Sequence, residues 1–299
     1  MTDQRAYDSP QAMRRAVTDR LKSIARPRGR WALDEMQRQF AYDRLLARMY
    51  VIDEGWILKG AVALLARQVS VRHSIDIDVY RDAERAMVDR ELRAAAELDL
   101  GDWFAFQIGR GDELTGGIGG TRYPVTASVG ATVWATFHID IVGKGVRMTG
   151  VPDDVPPVAG IAVPGIEQRG YRAYPLIDHI ADKVAAILEP HGDGRPSTRF
   201  RDLIDLTALV ACIRVDAGAQ RGALISEFDR RKLQFPQRFD VPDRELWERG
   251  YADAARRAVE PPARTLDEAL AVVRPFLDPV LDGMATGSWD PEAKIWAGP

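Results

Sequence analysis

The run Ser74-Ile75-Asp76-Ile77-Asp78 sets two carboxylates two positions apart in an alternation with isoleucine. Successive side chains of an extended strand point to opposite faces, so Asp76 and Asp78 share one face. Ile75 and Ile77 are then expected on the other, directed into a core. Two carboxylates held this way repel each other unless a cation lies between them, and a hard divalent ion such as Mg2+ is the usual solution. The pair follows Lys59-Gly60-Ala61 at a short distance. A turn of small residues lets backbone N–H groups approach a phosphate closely. Together these features predict a sheet-containing fold with a nucleotide site on one strand.

The chain has 299 residues, enough for one large domain or two modest ones, and its 46% hydrophobic and 28% charged content is ordinary for a globular protein. Net charge is −3, so no global basic field points to nucleic acid. Only six of the 41 basic residues are lysine. Arginine suits bidentate phosphate contacts, but an Arg-rich, Lys-poor chain also fits simple compositional bias. Lys59 and Lys183 are the more noticeable for it. The single Cys212 lies in an apolar helical run and reads as a buried, inert thiol, so neither a disulfide framework nor a cysteine metal site is expected. The four histidines (73, 138, 179 and 191) show no metal-ligand spacing. The first thirty residues lack the apolar core of a signal peptide and no run approaches bilayer-spanning length. A cytoplasmic protein without membrane contact is expected.

Periodicity divides the chain. Ala32 to Tyr50 reads as a helix, Gly55 to Leu58 as a short strand, Val62 to Gln68 as a helix and 75–80 as the Asp-bearing strand. Asp82 to Leu98 reads as an amphipathic helix with Asp82 as its N-cap. Phe104 to Ile108, Tyr123 to Val129 and Thr136 to Val142 alternate as strands. Gly109 to Gly120 reads as a hairpin connection rather than a phosphate loop, because no helix follows it. Pro152 to Pro164 reads as a connector or edge strand. Helical spacing then runs through Leu176 to Leu188, Arg199 to Ile213, Ala219 to Lys232, Asp243 to Val259 and Thr265 to Leu281. The expected organisation is an α+β (mixed α/β) domain over 1–170, with N-terminal helices and a small mixed or antiparallel sheet, and an all-helical domain over 171–299.

Four elements can converge on one site. They are the Gly60-Ala61 turn, the Asp76/Asp78 face, Asp140 and a helical set. Asp140 is expected beside them on a neighbouring antiparallel strand, sharing a face with His138. The helical set is Lys183 with Arg199-Phe200-Arg201-Asp202-Leu203-Ile204-Asp205, whose Arg199, Asp202 and Asp205 fall at i, i+3 spacing. Each piece alone has a plainer reading: a solvated strand edge, a surface lysine, a helical charge ladder. All of them in one order are harder to obtain without function.

The motifs Trp56-Ile57-Leu58-Lys59-Gly60-Ala61, Arg72-His73-Ser74-Ile75-Asp76-Ile77-Asp78, Lys183 and Arg199 to Asp205 resemble those of the AbiEii/MenT-type nucleotidyltransferase toxins. These belong to the DNA-polymerase-β-like nucleotidyltransferase superfamily. The resemblance runs from about residue 40 to 235. Ala61 replaces the second Gly or Ser usual in the turn, and Arg201 stands where Lys is common. The resemblance implies a polymerase-β-like fold in the N-terminal half and Mg2+-dependent transfer of a nucleotide from an NTP. It also implies the 3′ acceptor end of tRNA as target, with loss of aminoacylation and translation, and a cognate antitoxin as partner. Carried onto this chain, Asp76 and Asp78 hold the metal, Lys183 contacts the triphosphate, and Asp205 is a further essential acid that orients Lys183 or arginines. Lys59, Gly60, Ala61, Arg72, Ser74, Arg199 and Asp202 are expected around the nucleotide. Arg201, Arg230 and Arg231 are further candidates for phosphate contacts. Ser74 matches a position that an antitoxin can phosphorylate, which would add about −1.5 to −2 charge beside the carboxylates. With Asp140 as a third ligand two ions can be held; without it, one ion on Asp76, Asp78 and the triphosphate is the alternative. The same residues would also serve nucleotide transfer to a protein or small molecule, or a nucleotide-binding module without catalysis.

Overall fold

A computed structural model describes residues 5–27, 29–114, 119–143 and 145–298. In chain order the first elements are α1 (Pro10–Ile24), α2 (Leu33–Ile52), β1 (Ile57–Lys59), α3 (Gly60–Ala66), β2 (Asp76–Tyr80), α4 (Arg85–Glu97), β3 (Phe104–Ile108), β4 (Asp112–Glu113), β5 (Thr121–Val129), β6 (Thr132–Val142), β7 (Asp153–Val155) and β8 (Tyr171–Ala173). There follow α5 (Leu176–Leu188), α6 (Phe200–Val210), α7 (Ala217–Arg231), α8 (Arg244–Arg257), α9 (Leu266–Leu281), β9 (Ser288–Asp290) and β10 (Ile295–Ala297). The chain divides into two units. The first comprises Met1–Arg67, His73–Val146 and Asp154–Ala173; the second comprises Gln68–Arg72, Arg147–Asp153 and Tyr174–Pro299.

The first unit is built on a mixed sheet. Its strands run in the order β3-β5-β6-β2-β1-β8-β7, with β4 paired to β5. Helix α2 packs on β6, α3 on β2, α4 on β3 and α1 on β5. Alternation decides what these helices cover: Ile77 and Val79 of β2, Tyr123 and Val125 of β5, and Ile139 and Ile141 of β6 are all buried in one core. Burying a side chain of this size contributes about 1.5–3 kcal/mol. Strand β6 turns back from β5 at Gly130, whose φ of +59° suits a tight hairpin.

Three expectations for this unit are corrected. Strand β6, which carries Asp140, pairs with β2 in parallel and not antiparallel. The chain leaves β2 through α4 and β3, and the antiparallel β5–β6 hairpin brings β6 back in the direction of β2. Ile75 does not enter the core: β2 begins at Asp76, and Ile75 lies just outside it, 61% exposed. Helix α4 also begins later than expected, with Glu84 and not Asp82 at the N-cap position and no side-chain hydrogen bond capping its first turn. Within Gly109 to Gly120, Asp112 and Glu113 pair with β5, while residues 115–118 lie outside the described residues.

Helix α2 is buried from Gln39 to Tyr50 and brings charge with it. Arg44 and Arg48 each reach Asp102 at 2.6 Å. Asp43 accepts the N–H groups of Val158 and Ala159, both at 2.8 Å, and the Tyr171 hydroxyl at 2.8 Å. The strand-poor segment before β8 is thereby fastened to the helix.

In the second unit α5 packs on α6 and α7, and α6 on α8 and α9. Start signals are local: Asp216, Asp243 and Thr265 accept N–H groups of the first turns of α7, α8 and α9. Glu268 completes a capping box with Thr265. A β9–β10 hairpin, absent from the helical expectation, closes this unit; Trp289 is buried and donates to the Val210 carbonyl at 2.9 Å. Cys212 lies two residues past the end of α6 and is exposed, which corrects the expectation of a buried thiol. No helix among the described residues is long and apolar enough to cross a membrane.

Candidate active site

Register brings four charged residues abreast in the first unit. Lys59 of β1 pairs with Asp78 of β2, Asp78 with Asp140 of β6, and Asp140 with Arg122 of β5. Residues directly opposite on adjacent strands share a face of the sheet. The result is a row in the order Lys59, Asp78, Asp140, Arg122, with two carboxylates between two cations. The next row on that face holds Asp76 and His138, also register partners.

Side-chain contacts tie the rows together. The Arg122 fork donates to both oxygens of Asp140, at 2.7 and 2.6 Å, and its Nη2 lies 3.5 Å from Asp76. His138 Nδ1 stands 3.2 Å from the other Asp76 oxygen. The hydrogen bonds to Asp140, with the fields of Asp140, Asp76 and Asp78, hold the Arg122 guanidinium well above its ordinary range despite partial burial. Its charge is fixed. Asp78 lies against the β1–α3 junction: a Cβ on Gly60 would meet Asp78 Oδ2 at 1.9 Å. Gly60 has φ +60°, the left-handed region that favours glycine. Lys59 and Ala61 on either side are buried.

Ser74 is buried, with its hydroxyl donating to the Asp76 carbonyl at 2.8 Å, and its own carbonyl accepts from Tyr42 at 3.0 Å. The segment entering β2 is therefore held at two points. His73 before it lies beside the Glu35 carbonyl and Arg38, and burial keeps the imidazole pKa low.

The second unit carries a separate buried cluster. Lys183 of α5 donates to Asp202 at 2.8 Å and to Asp205 at 2.7 Å, both on α6. Arg72 grips both oxygens of Asp205 at 2.8 and 2.7 Å, and Arg199 reaches Asp202 at 2.8 Å. Three cations thus alternate with two carboxylates. Burial alone pushes both carboxyls up, but Lys183, with Arg199 beside Asp202 and Arg72 beside Asp205, outweighs it and holds both low. The same carboxylates hold the buried Lys183 ammonium up. Arg199 is the exposed end of the cluster. Arg201 points to solvent, and Arg230 and Arg231 are engaged by Glu227.

A hard divalent cation fits the donor set of the sheet. Mg2+ is usually held by one or two carboxylates, with substrate phosphates and water completing its octahedron. Asp76 and Asp78 offer that pair on one face. No group of three or more acids, histidines or cysteines is arranged to hold a metal among the described residues. Arg122 was not singled out in the sequence. Its place in an alternating strand was readable, but its partner depended on strand register, which no local pattern carries.

The family model described as nucleotidyl transferase AbiEii toxin, type IV toxin–antitoxin system, matches residues 44–272. The chain belongs to the AbiEii nucleotidyltransferase toxin family. Among solved structures it is similar to MenT4, a nucleotidyltransferase toxin from Mycobacterium tuberculosis H37Rv, with 17% identity, 87% of this chain and 99% of that chain covered, and a TM-score of 0.50. It is also similar to JHP933 from Helicobacter pylori, with 15% identity, 64% and 78% covered, and a TM-score of 0.37. No curated protein matches. At such identity the likeness to MenT4 concerns the fold. The AbiEii assignment makes this chain a nucleotidyltransferase toxin of a type IV toxin–antitoxin system, with the mixed α/β fold of such toxins.

Proposed function

We propose that this AbiEii toxin transfers a nucleotide from an NTP to the 3′ acceptor end of tRNA, blocking aminoacylation. The observation that carries the proposal is the Asp76/Asp78 face, set beside the Gly60 turn and flanked by Lys59, in a chain of the nucleotidyltransferase toxin family. An acceptor 3′ oxygen attacks the α-phosphorus; that P–O bond forms as the bond to the β-phosphate oxygen breaks. The hydroxyl proton passes to solvent water, and pyrophosphate departs with the bonding electrons. Such transfer needs positioning and charge neutralisation more than covalent protein chemistry.

Asp76 and Asp78 would hold Mg2+, which when bound lowers the pKa of the attacking hydroxyl or neutralises the departing phosphates. Gly60 keeps the backbone flat against the Asp78 carboxylate. Lys183 is a positioning residue in this reading: its ammonium, taken up by Asp202 and Asp205, sets the α6 carboxylates that orient Arg72 and Arg199 for phosphate. A cognate antitoxin is the partner, and phosphorylation of Ser74 is its means of silencing. Phosphate at Ser74 would displace the hydrogen bond to the Asp76 carbonyl and set negative charge beside the carboxylates. Mass spectrometry of toxin co-expressed with the antitoxin reads that directly, and an unmodified Ser74 in silenced toxin removes it.

The deciding experiment supplies each α-labelled NTP with total RNA. Label is expected at tRNA 3′ ends, and its rate should fall at least about a hundredfold in D76N and D78N. Label found only in protein or small molecules, never in RNA, would overturn the tRNA target. A growth effect undiminished in D76A would overturn catalysis itself.

A further inference from the structure

Asp140 stands next to Asp78 in the sheet yet gives both its oxygens to Arg122. It is 8% exposed, so its charge needs a permanent partner. Arg122 comes from the neighbouring strand, in register, and meets it in the planar two-bond geometry that makes guanidinium–carboxylate pairs strong. The same Nη2 leans 3.5 Å from Asp76. A tethered monovalent cation therefore already lies between Asp140 and Asp76. A divalent ion using Asp140 would have to break the fork or stand beside a like charge.

We infer that Arg122 takes the place a further cation would have between Asp140 and Asp76, and so restricts the protein's metal ligands to Asp76 and Asp78. The inference rests on the reading of those two aspartates as metal ligands. On this account Asp140 serves the site by holding Arg122, and Arg122 sets the affinity of the metal-free protein for divalent ions. The row of charges is a two-carboxylate site with a built-in competitor. Removing Arg122 converts it to a three-carboxylate site, which binds divalent ions more tightly because affinity rises with the number of charged ligands.

A double-mutant cycle tests this without recourse to activity. Mn2+ binding to the full chain, without nucleotide, is measured by the loss of its free-ion paramagnetic resonance signal in wild type, R122Q, D140N and R122Q/D140N. With Asp140 present, R122Q should tighten Mn2+ binding about tenfold; in the D140N background, the same change should alter it less than about twofold. An equal gain in both backgrounds would mean that Arg122 acts only through its overall field, and no gain would mean that it does not compete; either overturns the inference. R122Q should also melt lower than wild type, since it strands a buried carboxylate, and Mn2+ should raise its Tm more than that of wild type. If R122Q does not fold, R122K runs the same cycle, because one ammonium cannot span both oxygens as the fork does. D78N separates the two levels. Mn2+ binding that D78N leaves untouched defeats the reading of the aspartates as ligands, whereas D78N-sensitive binding with an additive cycle defeats only the role of Arg122.

Discussion

Gly60 adopts φ +60°, and a Cβ there would fall 1.9 Å from Asp78 Oδ2 and 2.6 Å from its Cγ. The two constraints act through different energies. The left-handed backbone costs a side chain-bearing residue about 1–2 kcal/mol, while the collision is relieved only if the Asp78 carboxylate moves. G60A is therefore expected to fold, with its stability lowered by about that amount, and to lose nucleotide transfer about a hundredfold, the scale of a displacement of roughly 1 Å at a reacting centre. Thermal melting followed by circular dichroism reads the first effect and labelled-NTP transfer the second. Near-normal transfer would show that Asp78 does not depend on this close approach.

At the scale of elements, helix α2 fastens the segment from Asp154 to β8 at several points: Arg44 donates to the Glu167 carbonyl, the Tyr50 hydroxyl bonds the Arg172 backbone, and the Asp43 carboxyl gathers the stretch from Val158 to Tyr171. Asp43 is enclosed among the Val158 and Ala159 N–H groups, Gln168 and the Tyr171 hydroxyl. Burial pushes its pKa up to about 6, against the pull of those donors. The folded value lies above the unfolded one, so between about pH 4 and 6 the folded chain binds more protons than the unfolded chain. Its contribution to stability is then present in full below that window and is lost as pH rises through it, by up to about 3 kcal/mol. D43N removes the titration. Urea unfolding across pH 4 to 7 should show wild-type stability falling relative to that of D43N as pH rises; a constant difference would show that Asp43 does not take up the proton on folding. Such devices explain what the sequence could and could not carry. The helices α2 and α5 to α9 were legible because 3.6-residue periodicity and caps such as Thr265 are local. The fork of Arg122 on Asp140, the parallel pairing of β2 with β6 and the exposure of Ile75 depend on how distant strands align. The Asp76/Asp78 face was readable from alternation alone, whereas the Asp43 network joins residues 115 or more apart in sequence.

For the whole molecule, arginine-rich composition acquires a structural meaning beyond compositional bias. Asp102, Asp140 and Asp205, all buried, are each met by an arginine that reaches both carboxylate oxygens, and Asp102 by a second arginine as well. A guanidinium matches both oxygens at once, so an Arg-rich chain can bury acids that lysine would hold less well. Lys183 is the exception, shared between Asp202 and Asp205. Burial raises the pKa of Asp102, but Arg48 and Arg44 outweigh it and leave the carboxyl low, as Lys183 and the flanking arginines do for Asp202 and Asp205. For these three the folded pKa lies below the unfolded one. Their stabilisation is complete above about pH 4 and is lost as pH falls further, because the unfolded chain takes protons first. K183M removes the central ammonium of one cluster and leaves two buried carboxylates facing each other. At pH 7 it should destabilise the protein by about 3–5 kcal/mol. It should also flatten the acid limb, since Asp202 and Asp205 then titrate closer to their unfolded values. Urea unfolding at pH 7 and 3.5 measures both effects, the variant losing less between the two pH values than wild type does. An acid limb of undiminished steepness would place the acid sensitivity outside the Lys183 cluster, leaving the Asp102 fork to account for it.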